Sequence, residues 1–128
     1  MLAPAVQQAI RELEESFPGI DFRVVADGQG GAGVTGHEFL LGDRFKPDRS
    51  WIGFAITFQY PAADVYPHFM RPDVTRLLGG PIPGDGLSLA NWQGTAAVQI
   101  SRRSNGWNQQ LDTAAIKLTK VLSWLHGT

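Results

Sequence analysis

The chain has no cysteine in its 128 residues. That absence excludes disulfides, a thiolate zinc site, an iron–sulfur cluster and a thiol nucleophile. Histidine is scarce as well. His37, His68 and His126 are scattered, with no pair spaced to hold zinc on one helix face. Neither a metal nor a cofactor is therefore expected. Charge of one sign is also lacking: the formal net charge of −1 offers no global attraction to nucleic acid or to an anionic membrane. No apolar run is long enough to span a bilayer. Met1-Leu2-Ala3-Pro4 shows no basic segment leading into an apolar one, so a cytoplasmic protein is expected.

What is present describes an ordinary globular chain, 43% hydrophobic and 10% aromatic, with a length suited to one domain over residues 1–128. Pro4 suits a first helical turn, and Val6, Ile10, Leu13 and Phe17 recur at helical spacing until Pro18-Gly19 stops them. Ile20 to Ala26 reads as a strand. Asp27 to Gly36 reads as a glycine-rich hairpin loop, and Glu38 to Leu41 as the returning arm. Trp51 to Tyr60 alternates most clearly, with Ile52, Phe54, Ile56, Phe58 and Tyr60 on one side. Pro61 to Pro72 holds three prolines, which argues against a helix or a central strand there. Asp73 to Leu77 suggests a short strand, Gly79 to Gly86 a surface loop, Gln93 to Arg102 a strand and Asn105-Gly106 a turn. A last helix spans about Thr113 to Trp124, with Asp112 as N-cap and Leu111, Ala115, Leu118, Leu122 and Leu125 as its core stripe. The order is helix, antiparallel meander, helix, with no βαβ rhythm. It predicts an α+β fold with helices packed on one face of the sheet.

Two apparent chemical signals have simpler readings. Gly28-Gln29-Gly30-Gly31-Ala32-Gly33 carries the letters of a dinucleotide fingerprint, but Val34-Thr35-Gly36-His37 is a poor helix start, so it reads as a turn. Serine, histidine and aspartate are all present, yet no Gly-x-Ser-x-Gly elbow exists. Arg44, Lys46 and Arg49, then Arg71 and Arg76, then Arg102 and Arg103 form local clusters interleaved with Asp43, Asp48 and Asp73. They read as solvated surface, or as contacts for an acidic protein or a phosphate.

One ordered series remains. A strand running into Phe58-Gln59-Tyr60-Pro61 is followed by Tyr66-Pro67, then Pro72-Asp73-Val74, then Gly86-Leu87-Ser88-Leu89, then Trp107 and an amphipathic helix. This series resembles the ubiquitin-conjugating enzymes over roughly the last two-thirds of the chain. It is most similar to their divergent prokaryotic branch, in which a Ser-Arg-Arg stretch precedes the tryptophan, here Ser101-Arg102-Arg103. The resemblance implies the conjugating-enzyme fold, ending at the helix after Trp107 without the family's further helices. It implies a ubiquitin-like protein and its activating enzyme as partners, often in bacterial antiviral defence, with no nucleic acid or membrane involved.

The same resemblance sharpens the missing cysteine. Local letters place Ser88 at the nucleophile's position, whereas counting back from Trp107 lands near Ser101. A serine acceptor would carry the ubiquitin-like C-terminus as an oxyester and would need a base; His68 is the nearest by motif. The His-Pro-Asn triplet is also missing, and Asn105 is the candidate for its oxyanion amide. Arg102 and Arg103 would line the tail's channel, with Tyr66 and Trp107 as binding or packing aromatics. Three readings stay open: an oxyester-forming transferase, a non-catalytic adaptor for the ubiquitin-like protein or activating enzyme, and a serine put in place of a native cysteine. A generic α+β binding domain is the fourth.

Overall fold

Pro4 opens helix α1 (Pro4–Ser16) in the computed structural model, which describes residues 1–127. The helix is anchored from its start, because Ala3 N donates to Gly30 O at 2.9 Å. Val6, Ala9 and Leu13 form its fully buried stripe. At its far end Phe17, Phe22 and Phe39 meet edge to face, with ring centroids 5.7 to 6.3 Å apart.

Eight strands follow among the described residues: β1 (Asp21–Ala26), β2 (Ala32–Leu40), β3 (Phe45–Lys46), β4 (Arg49–Ile56), β5 (His68–Met70), β6 (Thr75–Arg76), β7 (Leu87–Trp92) and β8 (Thr95–Ile100). Six of them form one antiparallel sheet in the order β1-β2-β4-β5-β8-β7, and β3 pairs with β6 beside it. Helix α2 (Ala114–His126) closes the chain. The α+β expectation, helix then antiparallel sheet then helix, therefore holds. Alternation sorts the sheet's two sides. Val34, Ile52, Phe54, Ile56, Met70, Val98 and Ile100 face the helices and make one core with Val6, Leu13, Leu118 and Leu125. Among the described residues no helix is long and apolar enough to cross a membrane.

Several boundaries differ from the sequence reading. The glycine-rich stretch is a loop only to Gly31; Ala32–Leu40 is an interior strand between β1 and β4. Its glycines hid it by removing the apolar alternation, and packing explains them. A Cβ at Gly36 would meet Phe39 and Phe22 at 2.7 and 2.8 Å. The turn itself is closed by Asp27, whose Oδ1 accepts from Gln29 N and Gly31 N at 2.7 and 3.1 Å, and a strand follows it rather than a phosphate-binding helix.

Strand β4 stops at Ile56, four residues early, because Tyr60 N turns back to Thr57 O at 3.0 Å; Phe58 is left 56% exposed. The proline-rich stretch does contain an interior strand, β5. It fits because its three residues fall between Pro67 and Pro72, so no proline interrupts the ladders to β4 and β8. Tyr60-Pro61 and Tyr66-Pro67 are both cis. The strand read from Gln93 to Arg102 is present as β8, beginning at Thr95; its first two residues are instead the turn that joins it to β7, a strand the sequence reading did not include. Gln93 and Gly94 both have positive φ (52° and 79°), as a two-residue turn between antiparallel strands requires. The N-cap of α2 is Thr113, not Asp112: Thr113 Oγ1 accepts from Ile116 N at 3.1 Å. Leu111, assigned to the core stripe, precedes the helix and is 72% exposed.

Candidate functional site

The residues with chemical potential gather where the Pro61–Pro67 turn, the loop after β8 and helix α2 converge. Lys117 occupies a stripe position of α2 beside Ala114, Leu118 and Val121, and is only 4% exposed. Its Nζ donates to Asp64 Oδ1 and Oδ2 at 3.0 and 3.1 Å and to Ser104 Oγ at 2.7 Å. Ser104 in turn donates from its backbone N to Asp64 Oδ2 at 2.8 Å and from Oγ to Oδ1 at 3.0 Å. Burial pushes the Asp64 carboxyl up, but the Ser104 and Lys117 hydrogen bonds outweigh it and hold the group below its ordinary value. The three side chains tie three separate segments together.

This cluster is not a serine–lysine nucleophile pair. Such a pair needs a neutral amine to take the hydroxyl proton. Here the ammonium spends its three protons on Asp64 and Ser104.

Above the cluster lies a cleft of about 320 Å³, lined by Arg102, Arg103, Asn105, Lys117, Lys120 and Trp124 among others. The Arg102 guanidinium lies 4.9 Å over the Trp124 ring, and that of Arg103 lies 4.8 Å over Tyr66. Lys120 is partnered by Asp112 at 3.5 Å and Lys117 by Asp64. Neither Arg102 nor Arg103 has a carboxylate partner among the described residues. The cleft thus presents two positioned, uncompensated guanidiniums.

The structure brings together Tyr66, Arg102, Arg103 and Asn105 from the sequence-derived set. Trp107 stands beside them as a packing residue, donating from Nε1 to Pro61 O at 2.8 Å with its ring 6.5 Å from Tyr60. It does not bring together the nucleophile and base. Ser88 lies on β7 opposite Gln99, on the side of the sheet away from the helices. Ser101 follows β8; its N donates to Gly86 O at 2.8 Å and its Oγ accepts from Gln99 Nε2 at 3.1 Å. His68 points into the helix-facing core, fully buried, 5.0 Å from the Phe54 ring centre. Burial, helped by the charge of Lys117 and opposed by that of Asp64, pushes its pKa down to about 3. Neither of its nitrogens has a hydrogen-bond partner among the described residues, so it activates neither serine.

Asp64, Ser104, Lys117 and Trp124 were missed in the sequence. One signal was available: Lys117 interrupts an otherwise apolar helical stripe, and a lysine there must find a carboxylate. Of the other clustered arginines, Arg71, Arg44 and Arg76 have structural partners. Arg71 pairs with Asp73 at 2.6 Å, Arg44 Nη1 donates to Trp124 O at 3.2 Å, and Arg76 donates to Pro81 O and Gly84 O to hold the loop before β7. Among the described residues no cluster of His, Asp or Glu is arranged to hold a metal ion. No protein-family model, curated protein or solved structure matches the chain.

Proposed function

We propose that the chain is a non-catalytic binding domain of the ubiquitin-conjugating-enzyme type, which holds the C-terminal tail of a ubiquitin-like protein in the cleft beside α2. The observation that carries this reading is the pair of uncompensated guanidiniums, Arg102 over Trp124 and Arg103 over Tyr66. A free C-terminal carboxylate is the complementary group, since planar guanidinium forks pair with carboxylates in two parallel hydrogen bonds. Tyr66, from the Tyr-Pro motif of the family resemblance, lies under the Arg103 guanidinium at 4.8 Å. The binding reading is favoured over the transferase because Ser88 and Ser101 each lack a base, and neither lines the cleft. Activating enzymes and deconjugating peptidases that handle the same tail are the expected neighbours in a pathway.

The test is a titration of the intact protein with a synthetic peptide of a ubiquitin-like C-terminal tail, as free acid and as amide. The free acid binds, the amide binds more weakly, and Arg102→Ala with Arg103→Ala lowers affinity about tenfold or more. Equal affinity for acid and amide sinks the carboxylate assignment. A hydroxide-labile, reductant-resistant adduct formed with activating enzyme and ATP, and lost in Ser88→Ala or Ser101→Ala, restores the acyl-carrier reading instead.

A further inference from the structure

We infer a second binding site, on the helix-free side of the sheet, that takes a flat aromatic molecule bearing an anionic group. The site comes from the curl of the sheet. Trp92 ends the edge strand β7, yet its indole lies across the sheet above Gly53 of β4, stacks on Phe69 of β5 with centroids 5.1 Å apart, and donates from Nε1 to Thr35 Oγ1 of β2 at 3.0 Å. A Cβ at Gly53 would fall inside that indole. At Gly33 it would meet Gln93 Nε2 at 2.7 Å. The β7–β8 turn is thereby folded back over the opposite end of the sheet, and a hollow of about 350 Å³ lies between this turn and strands β1, β2 and β4. That size is within the range of small-molecule sites.

The lining dictates the ligand. Trp51, Trp92 and Val25 supply apolar surface, and indole faces favour flat aromatic partners. The Trp92 N–H is already spent on the Thr35 hydroxyl oxygen, which leaves the indole to offer a ligand its apolar surface. Arg23 is the one permanently charged side chain of the lining. Its present partner is Asp21 at 3.7 Å, and both are more than 70% exposed, so the pair is a weak competitor for an incoming carboxylate. His37 lines the same hollow, and its Nε2 has no hydrogen-bond partner among the described residues.

Naphthoate and its uncharged amide are the probes, titrated into the intact isotopically labelled protein and read by NMR at the Trp92 indole N–H and the Thr35 amide. Naphthoate produces saturable shifts at both and binds more tightly than the amide. Arg23→Gln, a surface change that leaves the fold intact, weakens naphthoate about tenfold while leaving the amide nearly unchanged. Trp51→Ala weakens both. The proposal is overturned if neither signal shifts saturably, if acid and amide bind alike, or if Arg23→Gln leaves naphthoate affinity unaltered. Because the Arg102–Arg103 cleft lies on the other side of the sheet, failure at either site leaves the other standing.

Discussion

Asp64 and Lys117 show how a single buried charge organises its surroundings. Removing both ions from water is costly, and only mutual attraction plus the Ser104 hydrogen bonds offset it. Asp64→Asn should therefore destabilise the protein by about 3 kcal/mol, because it leaves an ammonium buried without its counter-charge. A double variant, Asp64→Leu with Lys117→Met, should cost less than either single change. Chemical denaturation of Asp64→Leu, Lys117→Met and the double variant checks this; additive losses would mean that the pair is not coupled. The cation–π placements of Arg102 and Arg103 are weaker individually, at about 0.5–1 kcal/mol for exposed sites. They serve to orient the guanidiniums more than to hold the fold.

At the scale of elements, the sheet's curl depends on small residues below large ones. Gly33, Gly53 and Ala55 leave room on the helix-free side, and Trp92 and Gln93 occupy part of it. Gly53→Val should displace the Trp92 indole, break its hydrogen bond to Thr35 and cost about 1–3 kcal/mol. The shift of the Trp92 indole proton in NMR, together with a denaturation midpoint, measures both effects; an unmoved indole would contradict the packing account. The two helices are fixed by different devices. Helix α1 relies on Pro4 and the Ala3–Gly30 hydrogen bond, whereas α2 has the Thr113 cap at its start and Gly127, with φ 81°, at its end.

For the whole molecule, acid sensitivity follows from two groups that share a region of the core. His68 is held neutral to about pH 3 in the folded state, while an unfolded chain protonates it near its ordinary 6.5. The folded pKa is depressed, so its contribution is complete above 6.5 and is lost as pH falls from 6.5 toward 3. The loss approaches about 1.4 kcal/mol per pH unit at its steepest. Asp64 has the same sign in a lower window: its contribution is complete above its ordinary 3.8 and is lost as pH falls further. His68→Phe should flatten the stability profile between pH 6 and 4 and leave the steeper acid limb below it. Urea midpoints measured across that range decide this; an unchanged slope in the variant would show that other groups titrate there.

The sequence by itself determined the class of fold and the strong elements. The 3.6-residue stripes of α1 and α2 and the alternation of Ile52, Phe54 and Ile56 are local patterns, and burial of one face turns each into a specific element. Tyr66, Arg102 and Arg103 were also legible as a group through their ordered motifs. What remained illegible depended on contacts far apart in the chain. Strand β2 was hidden because its glycines answer to Phe39, Phe22 and Gln93, and β5 because three residues between prolines make a strand only when both neighbours supply the ladder. The missing cysteine excluded a thiol nucleophile at once, but no pattern along the chain told which face of the sheet each serine would occupy. Tertiary structure decided that. It put Ser88 on one side and His68 on the other, and joined Asp64, Ser104 and Lys117 across 53 positions of sequence through hydrogen bonds that only a closed core makes worth forming.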